Sequence, residues 1–136
     1  MEYGLYNWWP KQNRPDNEMD ELFDGMVHPD DIQLANEVNP MGKVFIKTGC
    51  DQDYIIIEFG EYKLRVTPEN WKPVIGDGFK IGDIVRVLSK SGRNTPKQGT
   101  IISMSWHHKN NSIVYHVSEN GNRLKKQYFA SDFEPS

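Results

Sequence analysis

The chain has a single cysteine, Cys50, in 136 residues. An intrachain disulfide is therefore excluded, and so is any zinc site built on a cysteine pair. No apolar run approaches the roughly 20 residues of a membrane-crossing helix. The opening stretch, MEYGLYNWWPKQ, lacks the basic start and apolar core of a secretory leader. These absences together lead us to expect a cytoplasmic protein. A phosphate-cradling loop is missing too, because Gly76-Asp77-Gly78 has neither the preceding strand nor the following helix that such a loop needs.

What is present suits a folded, globular chain. A hydrophobic content of 37% and a charged content of 26% fit neither a disordered segment nor a membrane span. The formal charge of −3 conceals an uneven distribution. Residues 1–75 carry 7 basic and 14 acidic side chains, a net of −7, whereas residues 76–136 carry 9 and 5, a net of +4. Such asymmetry marks either a charged partner or mutual attraction between the halves.

Hydrophobic periodicity divides the chain into short elements. Tyr3, Tyr6, Trp8 and Trp9 crowd the first ten residues, and the polar stretch Lys11 to Glu21 reads as a loop. His28-Pro29-Asp30-Asp31 is a helix start, with proline where no N–H is needed and carboxylates at the positive end of the dipole. Ile32, Ala35 and Val38 form a short apolar stripe, ended by Asn39-Pro40, so a helix is expected over Pro29–Val38. From Gly42 onward the period is that of strands. Val44 to Ile46 and Tyr54 to Phe59 are separated by a turn at Thr48 to Asp53. Tyr62, Leu64 and Val66 then alternate with Lys63 and Arg65, which predicts apolar groups inward and basic groups outward. In the second half, strands are expected at Ile84 to Leu88, Thr100 to Trp106, Ile113 to Val117 and Arg123 to Phe129. Asn120-Gly121 is a strong type I′ hairpin signal.

The two halves align as a diverged repeat, roughly residues 24–75 and 79–136, hinged at Gly76–Gly78. Val44–Ile46 matches Ile101–Ser103, and Ile55–Phe59 matches Ile113–Val117. Lys63-Leu64-Arg65 matches Arg123-Leu124-Lys125, and Trp71-Lys72-Pro73 matches Phe133-Glu134-Pro135. The implied domains are 1–75, with the aromatic N-terminal segment, the helix and a first β unit, and 79–136, a second β unit.

Gly82-Asp83-Ile84-Val85-Arg86-Val87, a glycine-bearing loop, Gly99-Thr100-Ile101-Ile102 and the later hairpin resemble the SH3-like barrel, a class that includes KOW, Tudor and Agenet-type modules. The resemblance covers about 55 residues of the second unit and implies a mainly β fold of two small SH3-like barrels with one short helix. The first unit fits only from Gly42 onward, because the helix stands where an entry strand should be. More loosely, Tyr6-Asn7-Trp8-Trp9-Pro10 with His28-Pro29-Asp30-Asp31 is similar to an uncharacterised bacterial family of small proteins, a type that includes immunity partners of secreted toxins.

The favoured expectation is a non-enzymatic module, without cofactor or metal, that binds another protein as an immunity or adaptor protein. Its candidate contact residues are the aromatics Tyr6, Trp8, Trp9, Trp106 and Tyr115, since exposed aromatics anchor interfaces. Strand alternation puts Tyr6 and Trp8 on one face and Trp9 on the other, so the same segment also reads as a strand completing the first unit. Nucleic-acid binding is the alternative, through Arg86, Arg93, Lys109, Arg123, Lys125 and Lys126, against which stands an isoelectric point near 5.8. A third reading is a small hydrolase or metalloenzyme using His107, His108 and His116. Adjacent His107 and His108 point to opposite faces of a strand, and His116 approaches one of them across the hairpin. Cys50 lies in a loop beside Asp51 and Asp53, without the cationic neighbours that activate a thiol nucleophile.

Overall fold

A computed structural model describes residues 2–7, 25–87 and 97–134. Among the described residues the fold is mainly β, with two antiparallel sheets and one short α-helix. The chain divides into two compact units, Met1–Ile75 and Gly76–Ser136.

The first unit holds β1 (Glu2–Tyr6), β2 (Phe45–Asp51), β3 (Tyr54–Phe59), β4 (Tyr62–Val66) and β5 (Trp71–Val74). They form one antiparallel sheet in the order β4-β3-β2-β1-β5. Glu2–Tyr6 of the aromatic N-terminal segment is thus a strand of the first sheet, between β2 and β5. The helix does not replace that strand; it lies in the connection from β1 to β2. It is also shorter than its pattern suggests, because Pro29–Asp31 forms a 3-10 turn and the α-helix α1 covers Ile32–Val38. Asn39 ends it in a left-handed conformation, its N–H donating to the Ala35 carbonyl. Ala35 and Val38 are buried, and α1 packs on β4.

The β2–β3 turn is tighter than the sequence implies. β2 runs through to Asp51 across a bulge at Thr48, and Gln52 takes a positive φ of 57° to reverse the chain. Phe45, Ile57, Leu64 and Val66 form the fully buried centre of the unit, and the Phe45 and Phe59 rings meet at 5.5 Å. Gly4 exists for a steric reason: a Cβ there would collide with the Trp71 indole, which crosses β1 and donates its N–H to Glu2.

The second unit contains β6 (Ile84–Val87), β7 (Lys97–His107), β8 (Ser112–Glu119) and β9 (Asn122–Arg123), in that order in the sheet. The Tyr115 hydroxyl donates to Asp77 at 3.2 Å, and Phe79 packs edge-on against Tyr115 and Phe133. β9 is far shorter than the expected Arg123 to Phe129. After Leu124 donates to the Val117 carbonyl, the exposed polar run Lys125–Gln127 leaves the sheet, and Tyr128 rejoins it opposite Tyr115. A 3-10 turn at Ala130–Asp132 then brings Phe133 into a bridge with Val87 of β6. The core comprises Val85, Ile101, Met104, Ile113, Tyr115, Val117, Tyr128 and Phe133. β8 is buried on both faces, Val114 and His116 included.

Candidate binding groove

The strand register of the second unit builds a continuous row of side chains across its outer face. Ile84 stands opposite Thr100, Thr100 opposite Ser118, and Ser118 opposite Arg123. Cross-strand partners share a face, and their neighbours one residue along share the other. Those neighbours, Val85, Ile101 and Val117, are in the core. The row therefore points outward.

A groove of about 450 Å³ lies along this row, with Gln98 and the Asn120-Gly121 turn beside it. No lining residue is charged. Ile84, at one end of the row, is 67% exposed. Gly99 pairs with Val85, so its Cβ position lies on the core face, where a Cβ would stand 2.5 Å from both the Ser118 carbonyl oxygen and a Val117 methyl. Hydroxyls of Thr100 and Ser118 and amides of Gln98 and Asn120 can each donate and accept hydrogen bonds.

The two arginines next to the groove differ. Arg86 pairs with Glu134 at 3.3 Å, and its carbonyl accepts the Glu134 N–H at 2.8 Å. Arg123 is exposed, and no carboxylate among the described residues forms an ion pair with it. Lys125 and Lys126 follow it, both exposed, with the Lys126 ammonium 5.6 Å from the Tyr128 ring centre. Lys109 is exposed in the β7–β8 turn. Arg93 lies outside the described residues.

The aromatic candidates are placed otherwise than expected. Tyr6 is 5% exposed, and its hydroxyl donates to the Thr67 carbonyl at 2.9 Å. Burial pushes its pKa up, only partly opposed by hydrogen bonds from Thr67 and Asn70. Tyr115 is fully buried in the aromatic cluster of the second unit. Both are core residues and present no surface to a partner, which corrects their assignment as contacts. Trp106 is half-buried opposite Ile113. Trp8 and Trp9 lie outside the described residues.

One family model matches residues 1–134, nearly the whole chain. The chain belongs to DUF6960, a family of unknown function. No curated protein and no solved structure matches it.

In this DUF6960 chain the His-Pro-Asp-Asp motif is a clasp on β4. Asp31, nearly buried, accepts the Arg65 backbone N–H and Nε at 2.9 Å each and Nη2 at 3.1 Å. Asp51 adds a longer contact to the same guanidinium at 3.7 Å. Burial works to raise the Asp31 pKa, yet the hydrogen bonds from Arg65 and its charge hold it below the ordinary carboxylate value. His28 caps the 3-10 turn, its Nδ1 accepting the Asp30 N–H at 3.1 Å, and its ring rests 5.1 Å from Tyr54. The segment is completed by Val27 bridging Val66, with the Thr67 N–H donating to the Met26 carbonyl.

The proposed histidine cluster does not assemble. His107 pairs with Ser112 and His116 with Ser103, four positions apart along β7, or about 13 Å. His107 instead accepts the Asn110 N–H at 3.2 Å and packs on Phe129, while His116 is buried. Among the described residues, no three His, Cys, Asp or Glu side chains converge as metal ligands. Cys50 is exposed at the edge of the β2–β3 turn.

Ile84, Thr100 and Ser118 are absent from the sequence-derived candidates. A usable signal was there: Ile84-Val85 and Ile101-Ile102 are adjacent apolar pairs in half-buried strands. In a period-2 strand, one member of each pair must face outward.

Proposed function

We propose that this chain is a non-enzymatic protein-binding module of two SH3-like units, which receives a segment of its partner in the groove on the outer face of the second sheet. The observation that carries this reading is the groove itself: uncharged lining residues along the outward row, with Ile84 held 67% open to solvent at one end. Such a surface suits apolar side chains and backbone amides far better than phosphate. Support for the SH3-like reading comes from connectivity. Each unit has four antiparallel strands in sequence, then a 3-10 turn, then a closing segment paired back to its first strand: Trp71–Val74 on β1, and Phe133 on β6. That parallel also supports the repeat. With one cysteine and, among the described residues, no helix long and apolar enough to cross a membrane, we place the module in the cytoplasm.

The test is selection of a random-peptide display library on the immobilised chain. Enriched peptides whose binding is lost on Ile84→Asp support the proposal. A library that yields no enrichment, or peptides indifferent to Ile84→Asp, refutes it. The immunity-protein form of the reading further requires a toxin gene beside this one, and consistent absence of such a gene removes that form.

A second reading, nucleic-acid binding, is favoured by one observation: Arg123, Lys125 and Lys126 are all exposed within four residues. Three phosphate contacts on a single strand give a log K against log salt slope of roughly −2. Retention on immobilised RNA with that slope, lost on combined Lys125→Glu and Lys126→Glu, is its signature. No retention at low salt eliminates it.

A further inference from the structure

The partner's chemistry is written in the difference between the two arginines, and the inference rests on the groove reading above. The row Ile84–Thr100–Ser118–Arg123 crosses four strands, so its ends are three strand spacings apart, about 14 Å. One end is an exposed apolar side chain. The other is a guanidinium that no described carboxylate pairs. Arg86, by contrast, is already engaged by Glu134. Between the ends lie only small hydroxyl side chains.

We infer that the groove recognises an extended peptide segment carrying an apolar residue four positions away from a carboxylate. In an extended chain, residues i and i+4 project from the same face and stand about 13 Å apart, which matches the row. The apolar side chain covers Ile84. The carboxylate forms a two-point pair with Arg123, the geometry in which guanidinium recognises carboxylate most selectively. Thr100 and Ser118 meet the peptide backbone between them. A carboxylate displaced by one residue points away from the sheet and loses the contact.

Three fluorescein-labelled eight-residue peptides in a serine/threonine background test this by anisotropy at low salt. All three carry leucine at the second position. The matched peptide has aspartate at the sixth position, the charge-reversed peptide has lysine there, and the shifted peptide has its aspartate at the fifth. The expected result is at least tenfold tighter binding of the matched peptide than of either other, with Arg123→Glu reversing the preference in favour of the charge-reversed peptide. Arg123 is exposed on a two-residue strand, so its substitution leaves the core intact, which a one-dimensional NMR spectrum verifies. Equal binding of the three peptides, or a preference unchanged by Arg123→Glu, overturns the inference. So does displacement of the matched peptide by a 20-nucleotide single-stranded RNA, which assigns Arg123 to phosphate. If display selects Ile84-dependent peptides without an acidic preference, this inference fails and the groove reading stands. If display selects none, both fail.

Discussion

Among single residues, Asp31 illustrates how a carboxylate at a helix start becomes a tie to a neighbouring strand. Its carboxylate satisfies three donors of Arg65, one of them main-chain, and so fixes the long connection after β1 against β4. Truncation leaves a half-buried guanidinium and a backbone N–H without that acceptor. Asp31→Ala is expected to lower stability by about 1–3 kcal/mol in urea unfolding at pH 7. The pH dependence follows in sign. The native carboxyl titrates below its unfolded counterpart, near 3.9, so its contribution is complete above roughly pH 5 and is lost as pH falls through the native value. The wild type and Asp31→Asn should therefore converge in stability between pH 5 and pH 2. A gap of constant size over that range contradicts the clasp. Gly99 makes a separate demand, since its missing side chain is what lets β7 approach β8. Gly99→Ala should cost about 1–3 kcal/mol, as overpacking does, and a midpoint equal to wild type would show that the crossing has slack.

At the level of elements, β1 changes the account of the first unit most. It pairs with β2 on one side and β5 on the other, so it is an interior strand rather than an appendage offered to a partner. Deleting residues 2–7 is expected to abolish the dispersed amide signals of β2 and β5 in a ¹⁵N spectrum, and retention of those signals would refute the pairing. The sequence made the hairpins legible because Gly60, Asn120 and Gly121 supply positive φ where the chain reverses, and because Leu64 and Val66 alternate cleanly with Lys63 and Arg65. It concealed β1, since an interior strand joined to the rest across a connection of nearly 40 residues leaves no local signal. It also overstated β9, where Lys125 and Lys126 continue an alternation that no neighbouring strand receives. The groove was hidden for a related reason. Its residues converge only through the register of three strands, and none of them is a residue type associated with chemistry.

Over the whole molecule, the uneven charge acquires a more specific meaning. Among the described residues of the second half, Glu134 engages Arg86, while Arg123, Lys125 and Lys126 form an exposed run of three cations within four residues. Of the two partner classes proposed, only a protein has a use for Ile84 and the uncharged lining residues beside it. The decisive measurement is a ¹⁵N chemical-shift titration of the full chain with a peptide taken from display selection. Perturbations gathered on the amides of Ile84, Gln98, Thr100, Ser118 and Asn120, and abolished by Ile84→Asp, are the expected result. Shifts confined to Lys125–Gln127 or to the first unit, with those groove amides unmoved, would contradict it.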